Sequence, residues 1–262
     1  MEVIWDLFIS IVLPGFVVSF VSGMILLRWK GAGAALVLGI FAANVLNTPL
    51  AWFDWDQELG RVCLILVLSL ATVFLGCEKW WKQGLAAAWI GVLSGVLCYH
   101  ENIEIGHRVE VVAVSMALFG LLSYAEQRLN GRVFLALLSA TGLATSLVML
   151  HAHTALLSDI GMMWMVSSAG VLLAAFIIKT EIRGLAGPTA VFIPFLLYYG
   201  QLSTYSAVPV WSFVLIAAAP LACCLCLLPK NRMRNVMVSV LWLFCLAAAV
   251  ALAMRYETVI AG

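Results

Sequence analysis

Charged side chains are scarce in this chain: 14 Lys and Arg and 13 Asp and Glu among 262 residues, or 10%, where a soluble domain carries roughly 25%. So few ionisable groups cannot coat a globule of this size in water, and lipid is the solvent that fits. Clustered positive charge is missing as well, with a formal net charge of +1, which removes the footprint that nucleic-acid binding needs. There is no Gly-x-x-x-x-Gly-Lys-Ser/Thr loop, no dinucleotide fingerprint and no Gly-x-Ser-x-Gly elbow, so nucleotide-driven work would require another subunit. The seven cysteines form no recognisable framework. Cys63 and Cys98 fall near the outer ends of adjacent spans, where a pairing is conceivable, and Cys223, Cys224 and Cys226 read as small apolar packing residues.

Hydrocarbon is abundant: 65% of the residues are hydrophobic, and they come in runs of about 20, the length that crosses a bilayer. The start, Met1-Glu2, lacks the basic region of a secretory leader, so the first run is expected to remain as a helix. We read the chain as an all-α, polytopic membrane bundle in one transmembrane domain over 1–262. Its ten spans run at about 3–27, 32–53, 62–77, 84–99, 111–124, 133–150, 160–178, 188–201, 209–228 and 236–254. Pro14 marks a kink in the first, and the fifth is short unless it borrows from its flanks. The eighth is the least regular, holding Pro188, Pro194 and Gly200. An inverted pair of halves, about 1–131 and 132–262, is compatible with ten spans, although no internal residue match is visible.

Charge placement tests this parse independently, because cytoplasmic loops carry the excess of Lys and Arg. Arg28, Lys30, Lys79, Lys82, Arg128, Arg132, Lys179, Arg183, Lys230, Arg232 and Arg234 fall on one side, leaving Arg61, Arg108 and Arg255 on the other. Of the acids, only Glu78, Glu126 and Glu181 accompany the basic majority. Both termini are therefore expected on the non-cytoplasmic side, in a bacterial cytoplasmic (inner) membrane. Lys179 and Arg183 share a side with Arg232 and Arg234 only if two crossings separate them, which requires the eighth span. Small residues four apart, as in Gly15/Ser19/Gly23, Ala35/Gly39/Ala43, Gly91/Gly95 and Ala136/Ala140/Ala144, predict close helix crossings.

Chemistry-bearing residues are few. His100 to Glu110 is the densest ionisable stretch, and on a continuous helix His100, Glu104 and His107 share a face at i, i+4 and i+7, a set able to hold a divalent metal at the outer surface. His100-Glu101-x-x-Glu104 resembles the metalloprotease pattern with its second His replaced by Glu, while Gly106 argues for a turn. All four His (His100, His107, His151, His153) lie on the outer side, so the axial ligands that a haem pair stacked across the membrane would need are absent from the inner half. Trp52-Phe-Asp-Trp55-Asp56 resembles the Trp-rich external segment of cytochrome c assembly proteins, but it lacks their longer Trp-Gly pattern and reads as interfacial anchors.

No Asp, Glu, Lys, Arg or His lies deep in a span, which argues against a proton-coupled pump. The polar groups within the bilayer are Asn44, Asn47 and Thr48 in the second span and Tyr198, Tyr199, Gln201, Ser203 and Thr204 around the end of the eighth, and helix-to-helix hydrogen bonding accounts for them as well. Pro49 removes a backbone donor beside the first group, and freed carbonyls with amide side chains suit a polar solute. Two main readings follow. One is a small transporter or permease for a small polar solute or cation, bound by Asn44, Asn47, Thr48, Tyr198 and Gln201. The other is a non-catalytic structural or accessory subunit of a membrane complex, with other subunits or further copies of the chain as partners. A third is an outer-face metal-dependent enzyme built on His100, Glu104 and His107. Apart from that divalent metal, no cofactor is expected.

Overall fold

The computed structural model describes residues 8–29, 31–47, 58–72, 80–100, 104–179, 182–204, 207–227 and 232–260. Ten α-helices are traced among them: α1 (Leu13–Leu26), α2 (Ala32–Asn47), α3 (Glu58–Ser69), α4 (Trp80–His100), α5 (Ile105–Arg128), α6 (Gly131–His151), α7 (Ala155–Ile178), α8 (Ala186–Leu202), α9 (Val210–Ala218) and α10 (Arg232–Ile260). No strand occurs among the described residues. Five stretches are long and apolar enough to cross a membrane: Phe8–Leu26, Ile105–Arg128, Gly131–His151, Ala155–Ile178 and Met233–Tyr256. By contrast α8 has 17 residues, about 25 Å of rise against a hydrocarbon core of about 30 Å.

Prolines reshape the helices where they fall. The disturbance expected at Pro14 takes the form of a π turn, Phe8–Val12, leading into α1, because a ring nitrogen without a proton cannot complete the usual ladder. At Pro220 the winding changes in the opposite sense, and α9 passes into a 3-10 stretch, Ala219–Leu227. The fifth span does borrow from both flanks: α5 begins at Ile105 and takes His107, Arg108 and Glu110 into the helix.

Three helices cross at the closest approach the small residues allow. A Cβ on Gly15 would meet Val166 and Ala43, one on Gly39 would meet Ser19 and the Gly15 carbonyl, and one on Gly170 would meet Ser19 and the Phe16 carbonyl, so α1, α2 and α7 touch nearly backbone to backbone. The α6 stripe behaves differently from its expectation. Ala136 is exposed, and the close contact with α7 runs instead through Gly142 against the Met165 amide and Gly161 against Ser146.

The helix at the centre is α8. It packs against α2, α3, α4, α5 and α9, and every residue from Ala186 to Leu197 is buried. A helix apolar on all faces belongs in an interior. Phe192 stacks on the buried Trp164 of α7 with ring centroids 4.3 Å apart, and Pro194 removes one ladder bond inside the helix. Elsewhere the indole of Trp242 on α10 donates to the Thr141 hydroxyl of α6 at 2.9 Å.

Contacts between distant residues sort the helix ends into two groups. Glu126 meets Leu185, Arg234 meets Arg128 and Gly131 meets Ile182 at one end. At the other, His107 meets Tyr198, Ser146 meets Ser158, Thr204 meets Ala152 and Gly200 meets Met149 and Phe213. We call these the basic end and the histidine end. They show α5 and α8 antiparallel, with α6 and α7 as the hairpin between them.

Candidate functional site

Two cavities lie at opposite ends of the α5–α8 pair. The one at the histidine end, of about 170 Å³, is walled by α5, α8 and α9 and lined by Glu110, Val114, Pro194, Tyr198, Gln201 and Phe213 among others. Tyr198 and Gln201 reach it because they stand on the last turns of α8, where the helix emerges half-buried from its enclosure. The Tyr198 ring lies 5.3 Å from that of His107 at a 45° tilt. His107 Nδ1 is 3.2 Å from Glu110 Oε2, with the two side chains 46% and 68% exposed. The cavity thus has mostly apolar walls, one carboxylate at its rim, an aromatic face and one amide. That combination suits a small cation, which the carboxylate attracts and the aromatic face accepts.

Of the residues singled out for solute binding, Tyr198 and Gln201 come together here. Asn44 does not line this cavity. It is fully buried on α2 and its amide donates to Cys63 Sγ of α3 at 3.3 Å, so it joins two helices. Asn47 is the last residue of α2, and its side chain, with all of Thr48, lies outside the described residues. Cys63 and Cys98 are both buried thiols with no disulfide between them.

The register that placed His100, Glu104 and His107 on one face does not hold. His100 ends α4, Ile105 opens α5, and Glu104 between them is extended at ψ 145°. Gly106, whose composition argued for a turn, is the second residue of α5. The His100 side chain lies outside the described residues, and Glu104 is exposed. Among the described residues no group of three His, Cys, Asp or Glu could hold a metal ion. His107 is instead engaged with Glu110 and Tyr198.

The cavity at the basic end, of about 380 Å³, is polar and was not foreseen. Glu126, Arg128, Asn130, Gly131, Arg183 and Asn235 contribute to its lining. Glu126, half-buried at the end of α5, accepts the Leu185 N–H at 2.8 Å, and the Gly184 N–H and Arg183 charge also act on it. Gly184 turns with φ 89°, a conformation that favours glycine, and this presents consecutive amides to the carboxylate. Arg234, only 3% exposed, donates to the Arg128 carbonyl at 2.8 Å. Asn130 caps α6 by accepting the Arg132 N–H at 3.0 Å. The sequence signal for this cavity was the recurrence of Arg128, Arg183 and Arg234 on one side; what joins them is tertiary.

No family model, no curated protein and no solved structure matches the chain.

Proposed function

We propose that the protein is a small multi-pass membrane permease for a small cation or polar solute, entered through the cavity of Glu110, Tyr198 and Gln201. The observation that carries this reading is the course of α8: it is enclosed by five neighbouring helices along its length and opens, at its last turns, into a cavity shared with a carboxylate. Transporters commonly build their paths from Pro- or Gly-interrupted helices held in the bundle interior, and Pro194 gives α8 that character. Ser115 and Ser123, buried on α5, have hydroxyls with no hydrogen-bond partner, which suits a helix that polar species can pass.

In this reading the chain crosses the membrane ten times with both termini on the non-cytoplasmic side, and the basic end faces the cytoplasm of a bacterial cell. What supports it is the alternation of helix direction together with the gathering of Arg128, Arg183 and Arg234 at one end. Purified protein in liposomes, loaded against a panel of monovalent inorganic and organic cations and neutral polyols, is expected to take up a subset. Glu110→Gln and Gln201→Leu are expected to reduce cation uptake. Uptake untouched by both substitutions would remove the path, and no uptake of any solute would favour the accessory-subunit reading.

A further inference from the structure

The cavity at the basic end has the chemistry of a ligand site of its own. A Lys or Arg that serves only to mark the cytoplasmic side of a membrane needs exposure and nothing more. Arg234 is instead almost wholly buried, with its guanidinium spent on the Arg128 carbonyl. That bond ties the end of α5 to the start of α10. The Glu126 bond to Leu185 ties the same end of α5 to the turn before α8. Residues more than fifty positions apart are thereby held around one hollow, with Arg128 on one wall and Arg183 on another. Arg128 is further fixed by its stacking over Tyr124, 5.0 Å from the ring centroid.

The charge balance selects the ligand class. Two arginines line the hollow and a third, Arg234, lies beside it, against the single carboxylate of Glu126, whose oxygen is already engaged by backbone amides. The surplus is positive, and a guanidinium pair is the group best matched to phosphate oxygens. Gly131, the first residue of α6, also lines the hollow, and helix starts favour anions. The Asn235 side-chain amide oxygen, Oδ1, is buried in the wall without a hydrogen-bond partner. An acceptor there calls for a donor on the ligand, which a bare phosphate diester lacks and a hydroxylated one has. The volume, about 380 Å³, is at the lower end of the range for small-molecule sites, about 300 to 1,000 Å³.

We infer that this cavity binds a phosphate group carried on a hydroxylated headgroup, such as glycerol phosphate, presented by an anionic lipid or in free form. The site stands or falls separately from conduction through the opposite cavity, since neither its residues nor its readout involves uptake.

The test uses the full-length protein in detergent, titrated with dioleoylphosphatidylglycerol, dioleoylphosphatidylcholine, glycerol phosphate or inorganic phosphate, and read by native mass spectrometry and thermal unfolding. Phosphatidylglycerol is expected to bind and raise the unfolding temperature where phosphatidylcholine does not. Arg128→Gln and Arg183→Gln are each expected to weaken that binding by about tenfold, the loss of one charge-assisted contact. Arg132→Gln should bind as the parent does, because Arg132 stacks over Phe176 at 5.0 Å and does not line the cavity. Competition by glycerol phosphate at comparable concentration would assign the site to a free ligand, and its failure to compete would assign it to a lipid. The inference is overturned if phosphatidylglycerol binds no better than phosphatidylcholine and neither soluble phosphate binds, or if both Gln variants, folded by their unfolding transitions, bind as the parent does.

Discussion

The two ends of the bundle are held in different ways. At the basic end, distant segments are joined by short side-chain to backbone bonds: Glu126 to the Leu185 amide and Arg234 to the Arg128 carbonyl, both at 2.8 Å. Gly33 there lies so close to the Gly184 carbonyl that no Cβ fits between them. At the histidine end the corresponding ties carry no charge: a bond from Ser158 Oγ to the Ser146 carbonyl at 3.0 Å, a His107–Tyr198 ring contact at 5.3 Å and a 3.3 Å bond from Thr204 to the Ala152 carbonyl, with the exposed His107–Glu110 pair at 3.2 Å lying within α5. One end is clamped and the other lightly fastened. Hydrogen bonds to charged groups contribute about 1.5–3 kcal/mol each, whereas exposed ion pairs contribute about 0–1 kcal/mol. Stability should therefore be concentrated where the arginines gather, and access where the histidines do.

Five substitutions probe that contrast. Gly33→Ala should do the most damage. Glycine to alanine inside a helix ordinarily gains about 0.5–1 kcal/mol, but here the new methyl meets the Gly184 backbone, which has no flexible end to move aside. We expect a loss of about 3 kcal/mol, seen as a drop in the detergent-solubilised unfolding midpoint. A gain in that midpoint would show that the contact is loose. Glu126→Ala comes next, at about 2 kcal/mol, because it strands the Leu185 amide. Glu104→Ala, at an exposed position with no capping bond, is the matched control and should unfold with the parent.

At the other end the expected effects pass from stability to function. Gln201→Leu should lower cation uptake about tenfold, the worth of one hydrogen bond of about 1.4 kcal/mol, while leaving the unfolding midpoint near that of the parent. A large fall in the midpoint would mean that Gln201 supports the fold and not the cavity. His107→Ala should cost little, under about 0.5 kcal/mol of stability, since its partner Glu110 is largely exposed. A cost matching that of Glu126→Ala would erase the distinction between the ends.

Much of the architecture was legible because it follows from local rules. Hydrophobic run length placed the helices, Pro14 altered helix geometry where its missing proton dictates, and Gly15, Gly39 and Ser19 marked a close crossing. Where reading failed, the deciding contact was remote in sequence. The stretch over α8 read as irregular because Pro188, Pro194 and Gly200 interrupt it, yet burial on every side is what makes those residues tolerable there. Asn44 read as a solute ligand or as a helix-joining amide, and its partner Cys63 is a thiol that no spacing rule connects to it. The basic-end cavity joins the turns after α5 and after α7 with the start of α10, an assembly fixed by tertiary bonds alone.

The contrast between the two ends requires that they lie on opposite sides of one membrane. Exposed Gln127 at the basic end and exposed Ala207 at the histidine end can each be replaced by Cys in a chain whose seven native cysteines are changed to Ser or Ala. In intact cells a membrane-impermeant maleimide is expected to label Ala207→Cys and to spare Gln127→Cys until the membrane is permeabilised. Equal labelling of the two in intact cells would contradict it.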